Sequence, residues 1–225
     1  MRYWKTPLII GMACLALSLT GTTSFAHGEK EYAVTVTNLT RGQSFTPILV
    51  VNHHHGVTLF TAGSPASEEL AALAESGNVE PLQTLLDESS AVNDTEASIG
   101  LLDPGHSTTV TVKAGKNFRR ISLAAMLIPT NDAFVSIQNV RIPRGWHQKI
   151  VYAPAYDAGS ETNDELCANI PGPVCNGIGP SPDDEGEGYV HIHAGIDGGI
   201  GDLQPRTESR DWRNPVAKIT IQRVK

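Results

Sequence analysis

Arg119-Arg120-Ile121-Ser122-Leu123-Ala124-Ala125-Met126-Leu127-Ile128 decides the class of fold. Ile121, Leu123, Ala125 and Leu127 recur at every second position, which places them on one face of an extended strand. A turn-forming stretch ending in Asp132 follows, and Phe134 to Val140 reads as the next strand. Working outward, Gln148 to Ala153 and Val216 to Val224 are further strands on the C-terminal side. On the N-terminal side, Tyr32-Ala33-Val34-Thr35-Val36-Thr37 alternates apolar and hydroxyl side chains, and Ser107 to Lys113 does the same with Val110 and Val112. Pro47 to Val51 is a more fully apolar strand, Val57 to Phe60 a short candidate, and Tyr189 to His193 a short late one.

A helical insert interrupts this pattern near residues 64–88. Ser64-Pro65 offers a cap with proline in the first turn, Leu70, Leu73 and Ala74 repeat at helical spacing, and Gly77 is a stop. Asn78 then caps a second helix whose apolar face is Leu82, Leu85 and Leu86. About eight strands with long loops, and no internal repeat or break in composition, predict one all-β antiparallel sandwich.

The first 26 residues read as an export signal rather than structure. Arg2 and Lys5 precede the apolar stretch Leu8 to Leu19, and Ser24-Phe25-Ala26 suits cleavage after Ala26. The remainder, residues 27–225, is then one exported domain, periplasmic or extracellular, with no spanning helix after cleavage. Loss of Arg2 and Lys5 takes the net charge from −7 to −9. Such an acidic balance argues against a nucleic-acid partner, because phosphate binding needs a basic face. In an oxidising compartment the two remaining cysteines, Cys167 and Cys175, read as one disulfide.

Five segments in order resemble the spondin domain, the module found in F-spondin and mindin and in secreted bacterial proteins. They are Tyr32-x-Val34-x-Val36-x-Asn38-Leu39-Thr40 with Gln43-x-Phe45-x-Pro47, Pro65 to Ala71, Ser122 to Phe134, Tyr156-Asp157-Ala158-Gly159-Ser160, and Asp211 to Ala217. The resemblance implies a C2-like sandwich and a Ca2+ ion held by loops at one end. It carries ligand roles onto Asp132 and Asp157. Animal members place a third acidic ligand on a strand that here reads Thr109 to Lys113, without a carboxylate. Asn131, Glu161 and Asp164 lie close enough in sequence to supply further oxygens. The implied function is non-catalytic adhesion or binding to a surface, glycan or protein ligand.

Histidines carry an alternative. Asn52-His53-His54-His55 follows one strand, and His191-Ile192-His193 lies on another with both rings on one side. Were the two segments neighbours, His53, His55, His191 and His193 would suit zinc or copper in a periplasmic metal-binding protein. Asp183-Asp184-Glu185-Gly186-Glu187 lacks the ligand order of an EF-hand and reads as a solvated loop. Trp146 and Trp212 read as loop-packing aromatics. No G-x-S-x-G, H-E-x-x-H or P-loop pattern supports an enzyme. A hydrolase remains a second alternative, since triads are defined by geometry rather than by spacing.

Overall fold

The computed structural model describes residues 1, 29–180, 185–196, 201–203 and 210–225. The expected leader, His27, Asp183 and Asp184, and part of the loop before the last strand lie outside these residues.

Among the described residues eleven strands run in the order β1 Lys30–Asn38, β2 Ser44–Phe45, β3 Leu49–His53, β4 Val92–Ala97, β5 Ser107–Ala114, β6 Arg120–Ile128, β7 Ala133–Arg141, β8 Gln148–Ala153, β9 Ala155–Asp157, β10 His191–Ile192 and β11 Ala217–Arg223. They form two antiparallel sheets, a four-stranded one ordered β5-β1-β11-β8 and a larger one ordered β10-β9-β7-β6-β3-β4, with β2 paired to β6. This is the expected all-β sandwich.

The decisive stretch explains the layering. Ile121, Leu123, Ala125 and Leu127 of β6 enter the core between the sheets, with Val34 and Val36 of β1 and Ile219 and Ile221 of β11. Ala124 faces the opposite side, where it meets Leu70, Leu73, Leu82 and Leu86 of the two helices, α1 Glu68–Ser76 and α2 Glu80–Asp87. Both faces of β6 are therefore covered, which is why its sequence is nearly continuous in apolar residues.

Several local expectations need correction. The α1 cap is Ser67, whose hydroxyl accepts from the Leu70 N–H, and Ser64 and Pro65 lie before it. Gly77 does end α1, with φ +69° and its N–H on the Leu73 carbonyl. Leu85 is 48% exposed and does not share the buried face of Leu82 and Leu86. Val57 to Phe60 forms no strand. The Leu59 and Phe60 N–H groups instead donate to the Gln138 amide oxygen, which replaces a strand ladder. The Cys167–Cys175 disulfide is present.

Candidate functional site

The site forms where three neighbouring strands of the larger sheet meet one rim. Ala133 at the start of β7 pairs with Asp157 at the end of β9, and Asp157 pairs in turn with His191 in β10. Tyr156 packs on Phe60 and Phe134 on the helical side of the sheet. Strand alternation then turns Asp157 toward the other face.

The chain after β9 folds back over the β6–β7 turn. Asp132 Oδ2 accepts from the Ser160 N–H at 2.8 Å, the Glu161 N–H at 3.1 Å and the Ser160 hydroxyl at 3.3 Å. Asn131 accepts from the Glu165 N–H at 3.2 Å and donates to Asp164 Oδ1 at 2.9 Å. Asp164 also receives the Leu166 N–H and the Asn169 amide, so its oxygens are committed to bonds within the loop. Gly159 makes the close approach possible. It has φ +66°, and a Cβ there would stand 2.3 Å from the Tyr189 carbonyl oxygen. Its own carbonyl accepts from the Gly188 N–H at 2.8 Å, which brings the segment carrying Glu187 and His191 against the turn.

Asp132, Asp157 and Glu161 are buried together at this rim. Asp157 Oδ1 accepts from the Gly159 N–H at 2.8 Å, and Oδ2 from the Asn163 amide at 2.8 Å. The His191 Nε2 atom stands 3.6 Å from Asp157 Oδ1 and 3.6 Å from Glu187 Oε2. The His193 Nε2 atom stands 3.7 Å from Asp157 Oδ2. Donor atoms of Asp157, Glu187 and His191 all lie within 4.8 Å of one another. Asp132 Oδ1, His191 Nε2 and His193 Nε2 are buried atoms with no hydrogen-bond partner among the described residues.

Electrostatics follow from this crowding. Burial, and then the neighbouring Asp157 charge, push the Asp132 carboxyl up to about 7, against the two N–H bonds that lower it. Burial alone would lower His191, but the Ile192 carbonyl, Asp157 and Glu187 together hold it above the ordinary imidazole value. His193 is lowered, chiefly by burial, which outweighs the pull of Asp157.

A family model described as Spondin_N matches residues 18–166. The chain belongs to the Spondin_N family. No curated protein matches it. The matched stretch of the spondin domain contains Asp132 and Asp157, whereas Glu187, His191 and His193 lie beyond it.

The calcium implied by the family meets suitable chemistry at this rim. Asp132 offers an unbonded, buried carboxylate oxygen beside Asp157, and hard divalent cations take such oxygens. Asn131 and Asp164 serve instead to tie the loop. The four-histidine cluster is not assembled. His53 pairs with Arg120 at the far end of β6, on the order of 25 Å along the strand from the β6–β7 turn, and β6, β7 and β9 separate β3 from β10. His55 is exposed and contacts His54.

The hydrolase alternative finds a Ser–His pair, Ser122 and His53, 2.7 Å apart. Both residues have no exposed surface, and the Ser122 hydroxyl also accepts the Asn139 N–H. The pair is a strut between β3, β6 and β7 rather than an accessible nucleophile.

Glu187 is the site residue that sequence reasoning assigned to solvent. Its signal was present, since Glu187 and His191 are four residues apart across Gly188. That spacing acquires meaning only once Gly159 docks the segment against β9.

Proposed function

We propose that this spondin domain is an exported, non-catalytic binding module whose loop end is tied together by a divalent cation. A surface, glycan or protein ligand would be met by the loops so ordered. A buried carboxyl whose ionisation is opposed by burial and by a neighbouring charge, as Asp132's is, is a cost to the fold unless a cation compensates it. Asp132 carries the reading, because one of its oxygens is saturated by three donors while the other, equally buried, has no donor among the described residues. Calcium, the ion of the family resemblance, would be held by Asp132, Asp157 and neighbouring oxygens, and would supply charge neutralisation rather than chemistry.

Chelator-dependent melting tests this. A cation at a hundred times its dissociation constant stabilises by about 2.7 kcal/mol. For a domain of this size that corresponds to a fall of roughly 5–10 °C when EDTA removes it, restored by returning the cation. A melting curve unaffected by EDTA, together with purified protein carrying no stoichiometric metal, would refute the reading.

A further inference from the structure

The two histidines of the rim are set in opposite tautomers by their backbone partners. His191 Nδ1 lies 3.1 Å from the Ile192 carbonyl oxygen. A carbonyl can only accept, so Nδ1 carries a proton, and in the neutral ring that a metal binds Nε2 presents the lone pair. His193 Nδ1 accepts the Gly195 N–H at 3.0 Å. That nitrogen is therefore unprotonated, and in the neutral ring the hydrogen is on Nε2, which stands 3.7 Å from Asp157 Oδ2. The Trp212 ring, 4.9 Å from His193 between centroids, packs against the imidazole in this orientation.

We propose that Asp157, Glu187 and His191 form a zinc-class metal site. Calcium takes oxygen ligands, whereas an imidazole nitrogen among carboxylates suits zinc and its first-row neighbours. The spacing agrees. Donors bound to one zinc ion at about 2.0–2.2 Å and at tetrahedral angles stand about 3.4 Å apart. The two separations from His191 Nε2 are both 3.6 Å, too long for hydrogen bonds and short enough to share an ion. The outer partners are those a metal site needs: Ile192 fixes the ligating ring, while Gly159 and Asn163 orient the ligating carboxylate. Three protein ligands leave further coordination positions open on the side of Glu187, whose side chain is 40% exposed.

This inference rests on the reading of the rim as a cation site and departs from it in the ion and the donors, with Glu187 and His191 joining Asp157 in place of Asp132. The test is calorimetric titration of the metal-stripped mature chain with Zn2+ and separately with Ca2+. It is done in a His54→Ala/His55→Ala background, which removes the exposed imidazole pair as a competing zinc binder. The expected result is one zinc equivalent bound more tightly than calcium. Affinity for zinc should fall at least tenfold in His191→Ala and in the surface variant Glu187→Gln. Because Glu187 is partly exposed, its variant keeps the test valid if a histidine variant fails to fold. Calcium binding without zinc binding would overturn the nitrogen-donor site and leave the cation rim standing. Binding of neither ion would overturn both. Zinc binding unchanged by His191→Ala and Glu187→Gln would place the ion elsewhere and overturn the inference.

Discussion

His53 and His191 occupy opposite ends of the same sheet and share a tautomer, yet the structure gives them different work. His53 Nδ1 donates to the His54 carbonyl at 2.6 Å, and its Nε2 accepts from Ser122 at 2.7 Å. The ring has no exposed surface and both nitrogens are spent. His191 Nδ1 is likewise held by a carbonyl, but its Nε2 faces two carboxylates beyond hydrogen-bond reach. Residue type and tautomer do not separate a structural histidine from a ligand; the partner of the second nitrogen does. His193 adds a third case, with Nδ1 accepting and Nε2 turned toward Asp157.

The largest effect that would break this contrast is expected at Gly159. Gly159→Ala places a methyl group 2.3 Å from the Tyr189 carbonyl in a left-handed backbone conformation. The turn carrying Asp157 and the segment carrying His191 should separate, at a cost of about 3 kcal/mol or more, with the cation response lost. Denaturant unfolding with and without metal reads both quantities. An unaltered response would mean that the docking of these segments does not build the site.

His53→Ala comes next. It empties a fully buried site and leaves the Ser122 hydroxyl proton without its acceptor, and should cost about 2–3 kcal/mol, while the melting shift produced by metal stays that of the parent. The pH dependence sharpens the point. Burial lowers His53 below its ordinary 6.5. Its contribution to stability is therefore present above pH 6.5 and lost as the pH falls through the depressed value. The difference in stability between the parent and His53→Ala should shrink on acidification, and a constant difference would contradict a buried neutral ring.

Asp132 should respond with the opposite sign. Its folded value, about 7, lies above the ordinary 3.8. In metal-free protein its favourable contribution is complete below about pH 4 and is lost as the pH rises through about 7. Asp132→Asn should therefore make metal-free protein more stable at pH 8, by about 1–2 kcal/mol, and should weaken the gain on adding cation. Destabilisation of the metal-free form at that pH would show that the charge is compensated within the protein itself.

The smallest effect is expected for His54→Ala with His55→Ala. Both side chains are exposed, and stability should change by less than about 0.5 kcal/mol. A thermal melt suffices, and a large loss would mean that this segment is more than a surface turn.

What the sequence revealed follows from burial. β1 and β11 alternate because one face enters the core, and β6 is nearly continuous in apolar residues because both faces are covered. β4 was not legible: Val-Asn-Asp-Thr-Glu-Ala lies at the sheet edge with only Thr95 buried, so no apolar rhythm marks it. β9 is three residues long and merges into the loop that follows, although Asp157 at its end was legible through the resemblance. The acids of the rim could be named from the chain, but Glu187 looked solvated, and His53 seemed equivalent to His191. Their separation along β6 and the partners of their ring nitrogens are products of register and backbone placement, which no residue pattern encodes locally.

The most direct test of the contrast is nitrogen-detected histidine NMR of the 15N-labelled chain, before and after one equivalent of Zn2+. Recorded in the mildly alkaline range, where the imidazoles are neutral, the expected spectrum has the Nδ1–H tautomer at His53 and His191 and the Nε2–H tautomer at His193, with zinc moving the Nε2 resonance of His191 strongly and leaving His53 untouched. An Nε2–H tautomer at His191, or a zinc-induced shift at His53 with none at His191, would contradict the account.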